Sequence, residues 1–100
     1  MKHTVSILSE AESDIDIAFV WYEMKQQGLG DRYFKILDKS VQFISSNPYA
    51  CEEVYKGVGR MVIKKFPYGI YYKVIPIKME IQIIGVIHFQ RSIKVIRKRL

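Results

Sequence analysis

One hundred residues suffice for one small domain with one core, and a hydrophobic content of 49% excludes a disordered chain. The lone Cys51 excludes an internal disulfide and a cysteine-built zinc site, and no apolar run is long enough to span a membrane. The net charge of +6 is unevenly spread: residues 1–55 hold 5 Lys/Arg against 9 Asp/Glu, whereas residues 56–100 hold 11 against Glu80 alone. That asymmetry points the C-terminal half towards a polyanion or an acidic partner.

Residues 2–8 alternate, with Val5 and Ile7 apolar between Thr4 and Ser6, which predicts a short strand. No signal-peptide pattern precedes it, so a cytoplasmic location is expected. Ser9-Glu10-Ala11-Glu12 has the form of a capping box, and Glu10, Glu12, Asp14 and Asp16 suit the positive end of a helix dipole. The helix should run to about Gln27. Ala11, Ile15, Ala18 and Tyr22 make one apolar stripe, and Ile17, Val20, Trp21 and Met24 a second, so this helix is expected to pack on both a sheet and a neighbouring helix. Gly28 and Gly30 interrupt the pattern. A second helix from about Gly30 carries Phe34, Leu37, Val41 and Ile44 on one stripe and stops at Asn47-Pro48, because the residue before proline disfavours helical backbone.

A loop then leads to three short strands between Arg60 and Arg91, joined by a bend at Phe66-Pro67-Tyr68-Gly69 and a turn at residues 76–78. Side chains on a strand alternate between faces. Met61, Ile63, Ile70, Tyr72, Val74, Ile81, Ile83 and Ile87 form a plain core face. The other face mixes Arg60, Lys64, Tyr71, Lys73, Gln82 and His88 with the aliphatics Val62, Ile75, Ile84 and Val86. The expected fold is a single α+β domain over 1–100: an N-terminal strand, a helical hairpin, then a three-stranded antiparallel meander in one sheet with an open basic face. Residues 92–100 form a short basic tail with room for a helical turn, and Arg97-Lys98-Arg99 is expected to be solvated. Neither histidine has an acidic cluster beside it, and no phosphate-loop, dinucleotide or serine-hydrolase motif occurs, so no metal or cofactor is expected.

The ordered set of motifs on this topology resembles the RelE/ParE superfamily of toxins from type II toxin–antitoxin systems, the plasmid stabilisation family. The set comprises Asp14 early in helix one, Trp21-Tyr22, Asn47-Pro48, Tyr55-x-Gly57-x-x-Arg60, Phe66-Pro67-Tyr68-x-x-Tyr71-Tyr72 and Val86-x-His88-x-x-Arg91. The resemblance implies a growth-inhibiting toxin neutralised by a cognate antitoxin. It also implies one of two targets. RelE-type members cleave messenger RNA on the ribosome, and ParE-type members inhibit DNA gyrase without being known as nucleases.

Cleavage driven by an RNA 2′-hydroxyl needs a base, a cation for the phosphorane and an acid for the leaving oxygen. On the mixed face, Arg60 and Lys64 are candidate phosphate ligands, His88 a candidate proton carrier and Arg91 a further phosphate contact. Tyr71 is the exposed aromatic for stacking on a base, with Lys73 and Gln82 beside it. Glu52 and Glu53 are possible bases on an unplaced loop. The resemblance is incomplete, because Gly69 and Phe89 stand where RelE has arginines. The Phe-Pro-Tyr bend leans towards ParE, and His88 keeps a nuclease conceivable. An antitoxin with apolar anchors and carboxylates is expected to cover Val62, Ile75, Ile84 and Val86. The competing reading is a non-toxic nucleic-acid-binding module that uses the same face.

Overall fold

The elements follow the expected order, with one strand and one helix more than expected. A computed structural model describes residues 2–100, the side chain of Ser92 excepted. Its strands are β1 (Thr4–Ile7), β2 (Glu53–Tyr55), β3 (Val58–Val62), β4 (Tyr68–Ile75) and β5 (Glu80–His88), and its helices α1 (Ser9–Lys25), α2 (Leu29–Ser46) and α3 (Ser92–Arg99). The strands form one sheet in the order β1-β5-β4-β3-β2, with β1 parallel to β5 and the other neighbours antiparallel. The helical hairpin lies on one face of this α+β sheet, as expected.

The capping box does not form. Ser9 is the first helical residue, Leu8 holds the cap position and no side chain caps the helix. The strand dictates this: the Leu8 N–H donates to the Ile83 carbonyl (3.1 Å), so the chain stays in the sheet up to the residue before the helix. Gly28, at φ 88°, turns the chain from α1 into α2. The helices then approach closely at Gly30. A Cβ there would stand 2.7 Å from the Phe19 carbonyl oxygen, and its N–H donates to Glu23 Oε1 (2.8 Å).

The first α1 stripe, Ala11, Ile15, Ala18 and Tyr22, is buried against the sheet together with Tyr33, Leu37 and Ile44 of α2. Beneath them lie Ile63, Phe66, Ile70, Tyr72, Ile81, Ile83 and Val86. The second α1 stripe is not buried against a neighbouring element: Ile17, Val20, Trp21 and Met24 are all exposed, against expectation, with Trp21 edge-on to Tyr22 and under the Lys25 ammonium. Phe34 is likewise half exposed, and Tyr33 takes its place in the core.

Two features reshape the opposite face. Lys56 and Gly57, both at positive φ, make a two-residue hairpin turn that adds β2 to the sheet. The basic tail is a two-turn helix, α3, whose Ile96 is fully buried on Val58, Tyr71, Ile84 and Ile87. The face expected to be open is therefore partly roofed. Burying a side chain of this kind is worth about 1.5–3 kcal/mol, which helps to hold so polar a segment on the sheet.

β5 also carries a bulge. Tyr72 pairs with Ile83 and Tyr71 with Gly85, leaving Ile84 as an extra residue. One inserted residue reverses the alternation beyond it. Val86 thus joins the hairpin-side core and Ile87 the α3-side cluster, the reverse of the expected assignment.

Candidate functional site

On the α3 side, Arg60 of β3 stands opposite Tyr71 of β4. Arg60 Nη2 donates to Glu52 Oε1 (3.0 Å) and its backbone N–H to the Glu52 carbonyl (3.1 Å), which fixes the loop that sequence could not place. Its guanidinium carbon lies 5.8 Å from the centre of the Phe89 ring. Tyr71 is fully buried in the cluster under Ile96, so it is a packing residue and not the exposed stacking platform expected. Arg60 Nε and Tyr71 Oη are both buried and neither meets the distance and angle of a hydrogen bond. The adjacent Tyr71 hydroxyl nevertheless raises the Arg60 pKa most; burial opposes the rise and Glu52 adds to it, so Arg60 stays charged. Lys73 and Gln82 are half-buried and face one another across β4 and β5.

His88 is not on that face. The Ile84 bulge turns it towards α1, opposite Tyr68, with ring centres 5.5 Å apart. The Gln90 N–H donates to His88 Nδ1 (3.2 Å), so in the neutral ring Nε2 carries the proton. A groove of about 360 Å³ opens here between α1 and α3, lined among others by Ser13, Asp14, Tyr68, His88, Arg91 and Arg99. Arg91 is exposed just beyond the strand. Lys64 falls outside the strand altogether, on the turn after β3. Of the four residues proposed for catalysis, His88 and Arg91 thus share a groove, while the sheet separates His88 from Arg60.

The most connected polar group is Asp14, which the sequence marks as an early acidic residue of α1 without showing its partner, Arg99. Asp14 takes Arg99 Nη1 at Oδ2 (2.5 Å) and Nη2 at Oδ1 (2.9 Å), and the Val86 N–H at Oδ2 (3.1 Å). Arg99 Nη1 also donates to the Ile84 carbonyl (3.1 Å), and Glu10 Oε2 stands 3.6 Å from Nε. Asp14 is the main reason that the Arg99 pKa is raised. Arg99 is therefore a clasp between α3, α1 and the bulge, not part of a solvated tail. Gly85 makes room for it, since a Cβ there would lie 2.8 Å from Arg99 Nη1. Two sequence signals were present: a glycine inside a strand pattern marks a bulge or a close approach, and Ile93, Ile96 and Arg99 are spaced by one helical turn.

Behind the groove, Tyr22, Tyr33, Phe66 and Tyr68 pack edge to face or tilted, with ring centres 4.9–6.1 Å apart. Burial, and then Tyr68, push the Tyr22 hydroxyl up to about 12. The expected antitoxin surface changes as well. Ile84 and Val86 are core residues and only Val62 and Ile75 retain exposure.

No protein-family model matches the chain, and no curated protein matches it. Among solved structures it is similar to a chain of the chromosomal ParDE TA (toxin–antitoxin) system from P. aeruginosa, with a TM-score of 0.75. The match covers 87% of this chain and 96% of that one, at 16% identity. The fold is RelE/ParE-like. Within this RelE/ParE-like frame, the Ile84 bulge and the Asp14–Arg99 clasp determine which side chains reach the groove. No helix among the described residues is long and apolar enough to cross a membrane.

Proposed function

We propose that the protein is the toxin of a type II toxin–antitoxin pair, that a cognate antitoxin neutralises it, and that it stops growth by binding DNA gyrase. The toxin part of this reading is supported by the RelE/ParE-like fold together with the motif set from Asp14 to Arg91.

The choice of target is carried by one observation: His88 and Arg60 lie on opposite faces of the sheet. Cleavage at a phosphate needs a proton carrier and a cation within hydrogen-bond reach of the same few atoms. The cation best placed on the α3 side is already held by Glu52, which is also the nearest carboxylate base. Inhibition by binding makes no such demand. It needs charge and apolar area over a surface, and this chain offers both.

Arg60→Ala and His88→Ala test the reading. Each folded variant, checked by circular dichroism, is expected to arrest growth as fast as the wild type when expressed without antitoxin. Loss of arrest in both would replace gyrase by messenger RNA as target. A wild-type chain that is folded but arrests nothing would leave the non-toxic nucleic-acid-binding module.

A further inference from the structure

A second cavity lies at the far end of the sheet from His88. α2 stops before Asn47-Pro48 and the loop after it folds back. The Ala50 N–H donates to the Asn47 carbonyl (3.1 Å), and the Tyr72 hydroxyl donates to the Pro48 carbonyl (3.0 Å). The β2–β3 hairpin beside this loop carries Gly57 and Gly59, neither of which supplies a side chain to fill the gap. Tyr72 requires Gly59, because a Cβ there would stand 2.9 Å from the Tyr72 Cζ. What remains is a cavity of about 390 Å³, with Pro48, Tyr49, Cys51, Glu53, Tyr72 and Val74 among its walls. That volume falls in the range of small-molecule sites.

The chemistry of the cavity is one-sided. Proline, tyrosine and valine give it apolar walls, and Tyr49 is 71% exposed, so its ring is open to a ligand. Its one charged group among the described residues is Glu53, which is exposed and pairs with no cation there. The Tyr72 proton is already given to Pro48, so the Tyr72 oxygen can only accept. No lysine or arginine among the described residues lines the cavity, in a chain of net charge +6. Lys73 comes near Gly57, but it lies opposite Val58 and so belongs to the α3 side of the sheet. An anion finds no counter-charge here. A cation finds a carboxylate and an aromatic face together.

We propose that this cavity binds a small organic cation, a primary amine on a compact aromatic body. The ring lies against Tyr49 and Pro48, and the ammonium reaches the Glu53 carboxylate. The site shares no residue with the groove at His88 or with the Arg60–Glu52 pair, so it stands or falls independently of the toxin reading.

The test uses phenethylamine as probe, with phenethyl alcohol and phenylacetate as neutral and anionic bodies of similar size. Cys51 is the chain's single cysteine and is half-buried in the cavity wall, so its alkylation by iodoacetamide reports occupancy. The NMR amide shifts of Gly57 and Gly59 report it without chemistry. Phenethylamine is expected to bind with a Kd of about 1 mM, so about 10 mM should slow alkylation about tenfold. The alcohol should bind at least about fivefold more weakly, and phenylacetate should not protect. Glu53→Gln should remove the preference for the amine over the alcohol. Tyr49→Ala, at an exposed position, should weaken the amine at least about fivefold. Glu12→Gln, an exposed acid on α1, should change neither, and circular dichroism checks that each variant is folded. Equal protection by all three probes would overturn the proposal, as would amine protection undiminished in folded Glu53→Gln. Neither shift nor protection with the amine at about 10 mM would overturn it as well. Alkylation that slows with protein concentration alone would overturn it in favour of a second copy of this chain closing the cavity.

Discussion

Asp14→Asn lowers the melting temperature by about 10–20 °C. Asparagine keeps the shape but loses the charge, leaving Arg99 without its bidentate partner and weakening the acceptor for the Val86 N–H. Removing one partner of a buried pair costs about 3–5 kcal/mol. Both side chains retain some contact with water, 13% for Arg99 and 17% for Asp14, so about 2–3 kcal/mol is the better figure here. For a domain of this size each kcal/mol moves the midpoint by about 4–8 °C. Arg99→Lys should fall close behind, because an ammonium cannot serve both carboxylate oxygens and the Ile84 carbonyl in one plane. Glu10→Gln is the control: its side chain is mostly exposed and its contact with Arg99 is long, so a shift of only a few degrees is expected. Thermal unfolding followed by circular dichroism checks all three. An Asp14→Asn midpoint close to that of the wild type would mean that the clasp does not hold α3.

Tyr71 gives the second large effect. Tyr71→Ala should cost about 3–5 kcal/mol, as for other buried aromatics, because the ring fills the space between Val58, Ile84, Ile87 and Ile96. That is a large part of the stability of a small domain, about 5–15 kcal/mol in all. Tyr71→Phe should cost much less, about 1 kcal/mol, since it keeps the ring and removes only the weak contact of the hydroxyl with Arg60. Urea unfolding midpoints separate the two. A Tyr71→Ala protein as stable as the wild type, but inactive, would restore Tyr71 as a surface residue that stacks on a base.

Reading Tyr71 as exposed was the main error available from sequence, and its cause is specific. The hairpin was legible because Ala11, Ile15, Ala18 and Tyr22 keep helical spacing and Asn47-Pro48 stops α2. The meander was legible because β3, β4 and the first half of β5 alternate cleanly. Alternation carries no information about an inserted residue, so every side chain beyond Ile84 was assigned to the wrong face, His88 included. The roof over Tyr71 was hidden for a different reason. Four of the eight residues of α3 are basic, and the segment reads as a solvated tail unless Ile96 is seen with the cavity that it fills. The second α1 stripe was recognised as apolar but assigned to packing within the chain. Spacing shows that a face is apolar without showing what covers it.

The measurement that bears most directly on the account is pulse labelling of DNA and protein synthesis after induced expression in a bacterial host. Early loss of DNA synthesis with translation intact is the predicted result. It would leave Arg60 and His88 as structural residues on opposite faces of the sheet. An early fall in translation, with messenger cut on ribosomes, would contradict it. The groove at His88 or the pair Arg60–Glu52 would then have to perform chemistry that their separation does not support.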